Sequence, residues 1–427
     1  MSLKKNLKWS LIGTLFRYIA QSLSIIILAR LLTPYEFGVI SSSLLLINFL
    51  SIIAQLGGCQ LVITASEKKI DIILFQSIFT CSLISIFFAL LIYIYSGDVY
   101  TFFTSENISY YISALTISLL FKGVVVSFEG YILRHSMFKS IAIYDSISFT
   151  LGYFIPAVIL AILNYGAWSL VIATILQPIV YFALVVKKCF EINMKLKISF
   201  DNYSNTLARA FSISYIQIVS NISGQVDNFM VSKYLGIEKL GFYTRAYQLM
   251  IVPCNLVGQI INKAFLKNFS IEQNYSSQKN IIEKSILINF IVSFFINITL
   301  IFFGHEIISI VLGNEWSSLV TVLTILSFSI YPRMIYKISE PILIAKNKSF
   351  LMSKMVTLQM ILMSITIYCC LSYGLIGVSL AVLFSSYIYG LLCAISLFER
   401  EKKLILYLTL QITLNFLLLT WFLMNYV

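Results

Sequence analysis

The chain has 427 residues, 59% hydrophobic and only 11% charged, with 30 Lys and Arg against 18 Asp and Glu. A net charge of +12 and a mean hydropathy of +0.90 exclude a soluble fold, because so few charges cannot cover a water-facing surface. The basic residues sit in short loops between apolar runs, where membrane orientation and anionic headgroups account for them without nucleic acid. Seven cysteines, without metal-ligand spacing, fall mostly inside apolar runs, as Cys59, Cys81, Cys254, Cys369 and Cys370 do, and read as small core side chains.

The N-terminus, Met1 to Lys8, enters a long apolar run at Trp9 with no small-residue cleavage site, which predicts a retained first helix. Runs long enough to cross a bilayer, about 20 residues each, follow in order. They cover 9–29, 38–62, 72–95, 108–128, 142–163 and 166–186, then 207–232, 244–266, 284–304, 318–338, 351–371 and 375–397, with a thirteenth run at 404–425. With the N-terminus cytoplasmic, the inside loops carry Lys68 and Lys69, Arg134 and Lys139, Lys187, Lys188, Lys195 and Lys197. They continue with Lys263, Lys267, Lys279 and Lys284, then Lys346, Lys348, Lys402 and Lys403. The opposite loops 97–107 and 304–318 hold Asp98, Glu106, Glu306 and Glu315 and no Lys or Arg, so the orientation follows.

One outer loop, with Lys233, Lys239 and Arg245, departs from this rule, and so does its counterpart Arg30 to Gly38. Aligning them pairs Arg30 with Lys233, Leu32 with Leu235 and Phe37-Gly38 with Leu240-Gly241, an offset of 203 residues; Asn164-Tyr165-Gly166 matches Ser372-Tyr373-Gly374 at offset 208. An even number of spans separates the copies, which predicts two six-helix lobes in parallel repeat. The boundaries expected are an N-terminal lobe 1–187, a cytoplasmic interfacial linker 188–206 rich in Lys and apolar residues, a second lobe 207–398, and an additional C-terminal helix in 399–427.

Polar residues recur at helical spacing in equivalent spans. Ser10, Thr14, Arg17, Gln21 and Ser24 share a face of the first, and Ser214, Gln217, Asn221, Gln225 and Asn228 a face of the seventh. The second and eighth add Ser41, Asn48, Ser51 and Gln55 against Gln248, Asn255, Gln259 and Asn262. Such stripes also serve as interhelical glue. Recurring in both halves, they fit a water-filled cavity between the lobes. Arg17 lies about eight residues into its run, where an unpaired cation costs roughly 2.5 kcal/mol or more, so it suits an anionic solute.

The segments Ala29 to Gly38, Tyr131 to Lys139, Val226 to Tyr243 and Gly304 to Trp316 resemble the polysaccharide-export, Wzx-type branch of the multidrug/oligosaccharidyl-lipid/polysaccharide flippases over about the first 400 residues. The resemblance implies an all-α integral membrane protein of the bacterial inner membrane. It would have two six-helix lobes in a V and move a polyprenyl-pyrophosphate-linked oligosaccharide by alternating access, as a monomer working with membrane lipids, a polysaccharide polymerase and chain-length proteins. Longer members carry fourteen spans, one more than the runs here. Guanidinium grips phosphate bidentately and amides both donate to and accept from sugar hydroxyls. Arg17 is thus expected at the headgroup, with Gln21, Asn48, Gln55, Asn221, Gln225, Asn255 and Gln259 along the sugar path.

Asp227, Asp145 and Glu129 are the candidates for ion coupling. Glu129 and Asp145 lie near predicted cytoplasmic helix ends, where solvation or ion pairing is the plainer role, and Asp227 sits about 120° off its own polar stripe. Glu340 shares a segment with Arg333 and Lys337 and reads as a local charge cluster. Prolines 156, 178, 253 and 332 mark kinks, static or mobile. No catalytic motif, metal-ligand spacing or cofactor fingerprint is present, and His135 and His305 stand far apart. A cation-coupled drug exporter of the same superfamily and a membrane-embedded polysaccharide polymerase are the alternatives. The first would want an acidic, aromatic cavity and the second a large outer loop.

Overall fold

A computed structural model describes residues 17, 19–104, 106–252, 254, 275–345, 349–397 and 402–426. Among them there is no strand, and seven helices are long and apolar enough to cross a membrane, or eight if one bent pair counts as a span. The chain is a multi-pass membrane protein. The helices are α1 (Ile19–Leu31), α2 (Pro34–Gln55), α3 (Gly58–Ile63), α4 (Ile70–Phe103), α5 (Ser109–Arg134), α6 (Phe138–Ile147), α7 (Ile155–Ile162), α8 (Ala167–Glu191) and α9 (Tyr203–Ser223). They continue with α10 (Val226–Leu235), α11 (237–252), α12 (Tyr275–Val311), α13 (Leu319–Ser327), α14 (Ile330–Ala345), α15 (Ser349–Cys370), α16 (Gly374–Leu397) and α17 (Lys402–Tyr426).

Several apolar runs break where the sequence read one span. The run 38–62 divides at Leu56-Gly57, where both residues take positive φ. The run 142–163 passes through a π-helical segment, Ser148–Phe154, just before Pro156. The run 207–232 divides at Gly224-Gln225, and 318–338 bends by 45° between α13 and α14. At the start of α2 the sequence Thr-Pro-Tyr-Glu makes a capping box: the Thr33 amide donates to Glu36 Oε2 at 2.7 Å, the Glu36 amide donates to Thr33 Oγ1 at 3.4 Å, and Pro34 occupies the first turn, where its missing N–H costs nothing.

The chain forms two compact units, one of residues 1–225 with 236–241, the other of 226–235 with 242–427. This differs from the expected boundary at 188–206, because the linker is sewn to α4. Gln76 Nε2 donates to the carbonyls of Ser199 and Asp201, both at 3.0 Å, Thr206 Oγ1 donates to Gln76 Oε1 at 2.8 Å, and the Phe200 ring meets Phe75 and Phe79 edge-on. α9 therefore packs with α2, α3 and α4.

Within the first unit the loops sort to two ends, as alternating spans require. At one end Arg134 donates to Glu67 at 2.9 Å and to the Ile63 carbonyl at 2.7 Å, while the Lys197 amide reaches the Asp71 carbonyl. At the other, Tyr35 hydrogen-bonds Glu106, and Gly166 lies against Glu36. The repeat register recurs in the backbone. α1 ends at Leu31 and α10 at Leu235, and α2 begins at Pro34 and α11 at 237, all at or within one residue of the 203 offset. Gly166 and Gly374, aligned at offset 208, share φ of +54° and +63° at the start of the next helix.

Two aligned glycines hold this register together. A Cβ on Gly38 would sit 1.9 Å from the Ile237 carbonyl oxygen, and one on Gly241 would sit 1.8 Å from that of Pro34. Each glycine thus meets the residue equivalent to its partner's neighbour, and only a bare Cα lets the backbones approach so closely.

The second unit packs α10 and α16 on α15, α14 on α16, and α12 on α13 and α14. Its core includes Ile301, Ile325, Phe328, Leu383, Leu419 and Phe422. The last two come from α17, so the thirteenth run is a helix docked on this unit through one apolar face.

Candidate functional site

The first unit gathers charges that the sequence left scattered. Arg17, at the start of the first helix, forms an ion pair with Asp145 near the end of α6. The side chains of Arg17 and Asp145 are 44% and 29% exposed. The carboxylate of Glu129, on α5, is close enough to feel both charges, and the Tyr181 hydroxyl of α8 hydrogen-bonds to it. Two acids thus face one base. Asp145 abuts the π-helical segment, and its carbonyl accepts from Ser148 Oγ at 3.0 Å. Arg17 thus already has a partner, and its surroundings carry no net positive charge when both carboxylates are ionised.

A second intramembrane cation was missed. Lys122 lies on α5 seven residues before Glu129, on the same helical face and about 10 Å away. It is half-buried, and its Nζ donates to Asn48 Oδ1 at a long 3.4 Å. Among the described residues no carboxylate pairs with it. The signal was present in the sequence, a lysine in the middle of an apolar run.

The remaining expected residues divide. Asn48 contacts Lys122, and Gln21, one turn along from Arg17, is half-buried. Gln55 is half-buried at the end of α2, its carbonyl accepting from the Cys81 thiol at 3.2 Å. Asn221 is exposed and turns back on its own helix, donating to the Gln217 carbonyl at 2.9 Å, and Gln225 forms the turn before α10. Asn255 and Gln259 lie outside the described residues.

Asp227 is sealed in the second unit, 2% exposed at the first turn of α10. Tyr243 donates its hydroxyl to Oδ2 at 2.8 Å and the Asn228 amide donates to Oδ1 at 2.9 Å. The charge reaching it is that of Arg333, 6% exposed. Arg333 Nη1 donates to Tyr247 at 2.6 Å, its Nε donates to Ser329 Oγ at 3.1 Å, and its guanidinium lies 4.8 Å from the centre of the Tyr247 ring. Arg333 is therefore a buried anchor. The bond from Tyr243 ties Asp227 of α10 to α11.

The second unit also encloses an apolar cavity of about 410 Å³ walled by Phe328, Leu383, Phe384, Tyr387 and Leu419. Among the described residues no three His, Cys, Asp or Glu side chains come together to hold a metal ion.

A bundle of broken apolar helices is a fold this chain shares with solved membrane proteins. Lipid II flippase MurJ in an inward closed conformation superposes with a TM-score of 0.80 at 18% identity, over 99% of this chain and 93% of its own. An inward-facing multidrug resistance transporter of the MATE family superposes at 0.67 and 15% identity, over 91% and 96%. The chain itself belongs to the polysaccharide biosynthesis protein family, whose model matches residues 27–321.

Among its relatives, the succinoglycan biosynthesis transport protein ExoT of Rhizobium meliloti (strain 1021) is 25% identical over 59% of this chain, which spans about half (51%) of that protein's length. The teichuronic acid biosynthesis protein TuaB of Bacillus subtilis (strain 168) is 23% identical over 80% of this chain and 71% of its own. A putative O-antigen transporter of Shigella flexneri is 24% identical over 74% and 78%.

Proposed function

We propose that this protein is a flippase for a polyprenyl-pyrophosphate-linked oligosaccharide, a repeat unit of a surface polysaccharide, moved across the bacterial inner membrane by alternating access with the N-terminus cytoplasmic. It is a transporter and carries out no chemistry on the sugar. The observation that carries this reading is the partly exposed Arg17, with Lys122 as a second cation, among the apolar helices of a fold shared with a lipid flippase. A diphosphate needs fixed cations within a medium that otherwise excludes it, while a polyprenyl tail needs only lipid. Membership of a polysaccharide family and relatives named for polysaccharide and O-antigen transport point the same way.

The test is complementation of a strain lacking its own polysaccharide flippase, scored as surface glycan at matched membrane expression. Restoration by wild type supports the reading. Failure across several glycan backgrounds overturns it in favour of drug export.

A further inference from the structure

The arrangement of Arg17, Asp145 and Glu129 has a consequence for what must accompany an anion into this site. While Arg17 is held by Asp145, it has no charge left for a phosphate. A diphosphate that engages the guanidinium must displace the carboxylate, and Asp145 then faces Glu129 without a cation between them. Two carboxylates sharing one site inside a membrane protein do not both stay ionised.

We propose that Asp145 is the proton-binding half of an exchange site: a diphosphate takes Arg17 from Asp145, and the released carboxylate accepts one proton from water. This rests on the diphosphate-linked substrate proposed above. The O–H bond formed on Asp145 is matched by the O–H bond broken in hydronium or in the buffer acid, and Arg17 keeps its charge throughout. When the anion leaves, the proton leaves and the ion pair closes again. Neither partner is sealed in the core, so the pair can be separated by a ligand.

The groups facing Asp145 are consistent with a proton as the ion taken up. α5 contributes Glu129, with the Cys59 thiol near it, and Lys122 further along the same face. α8 contributes Tyr181 and, towards its end, Lys188, which is occupied by Glu191 at 2.9 Å. α6 itself carries Lys139 and Tyr144, and the π-helical segment adds only Tyr153.

The test is calorimetry of the full chain in lipid nanodiscs with undecaprenyl pyrophosphate as probe, in buffers of different ionisation enthalpy at about pH 8, where the probe's own titration would release protons on binding. Wild type is expected to take up close to one proton per ligand, with affinity rising by up to about tenfold for each pH unit of acidification. Asp145→Asn, which leaves Glu129 as the one acid competing for Arg17, should take up less than wild type and bind up to about tenfold tighter at that pH. Glu129→Gln should lower the uptake by about half or more, since a lone Asp145 has less need of the proton. Binding by wild type without proton uptake, uptake unchanged in both carboxylate variants, or a requirement for sodium in place of the proton overturns the exchange site and leaves the flippase reading standing. No binding of the probe at any pH overturns both.

Discussion

The two units hold similar side chains in opposite states. In the first, Arg17 and Asp145 are 44% and 29% exposed, and a second carboxylate competes for the same guanidinium. In the second, Asp227 and Arg333 are 2% and 6% exposed, and tyrosine hydroxyls and a serine fill their hydrogen-bonding positions. The first is an ion pair with an alternative partner and access to ligand. The second is a closed network that fixes how α10, α11 and α14 meet. A charge inside a membrane protein therefore reads as a ligand site only when its partner can be replaced, and burial decides that.

The largest effect should come from opening the closed network. Asp227→Ala leaves the buried Tyr243 hydroxyl and the Asn228 amide without their acceptor, and should cost about 1 to 3 kcal/mol of stability, read as a fall in thermal midpoint and in membrane yield. An undiminished midpoint would break the contrast between the units. Next, Arg17→Ala should abolish most surface glycan in the complementation assay while changing stability by less than about 1 kcal/mol, as expected of an exposed pair. Asp227→Asn, whose amide oxygen still accepts from Tyr243, should impair glycan export less than Arg17→Ala, and the reverse order would overturn that ranking.

A smaller effect is expected at Lys122. Lys122→Gln should weaken binding of undecaprenyl pyrophosphate about tenfold by titration calorimetry, and the loss should shrink at high ionic strength. Equal affinity in both would make Lys122 a partner of Asn48 alone. Smallest is Tyr181→Phe, which removes one hydrogen bond from Glu129 and should change probe affinity by no more than about fivefold on the same calorimetric titration, with transport retained.

Much of the fold was legible in the residues. Apolar runs marked most helices because backbone hydrogen bonds inside lipid must be closed within the segment. The 203 offset reappears in the helix ends, and the aligned glycines 38 and 241 turn out to be a reciprocal backbone contact, since a close crossing excludes any Cβ. Less legible were the interruptions. Gly57 and Gly224 announce breaks only weakly, and nothing in Ser148 to Phe154 marks a π-helical turn beyond the proline that follows.

The charged groups show where one-dimensional pattern stops. Arg17 was identified by its depth in an apolar run, and Glu129 and Asp145 by their acid chemistry, yet their meeting depended on three helices converging. Lys122 was as visible as Arg17 and was passed over because it belongs to no polar stripe. Of the stripe residues, Asn221 donates to the carbonyl one turn back and Gln225 sits in the turn before α10, which helical angle alone does not reveal.

By itself the sequence determined that the chain is a membrane protein of repeated apolar helices, because composition and period depend only on the order of residues. The tertiary structure decided which charges are neutralised and which are exchangeable. Coulomb interactions fall off with distance in space and strengthen with exclusion of water, and neither quantity is written in the spacing along the chain. Arg17 and Asp145, 128 residues apart, become one site only where the helices cross.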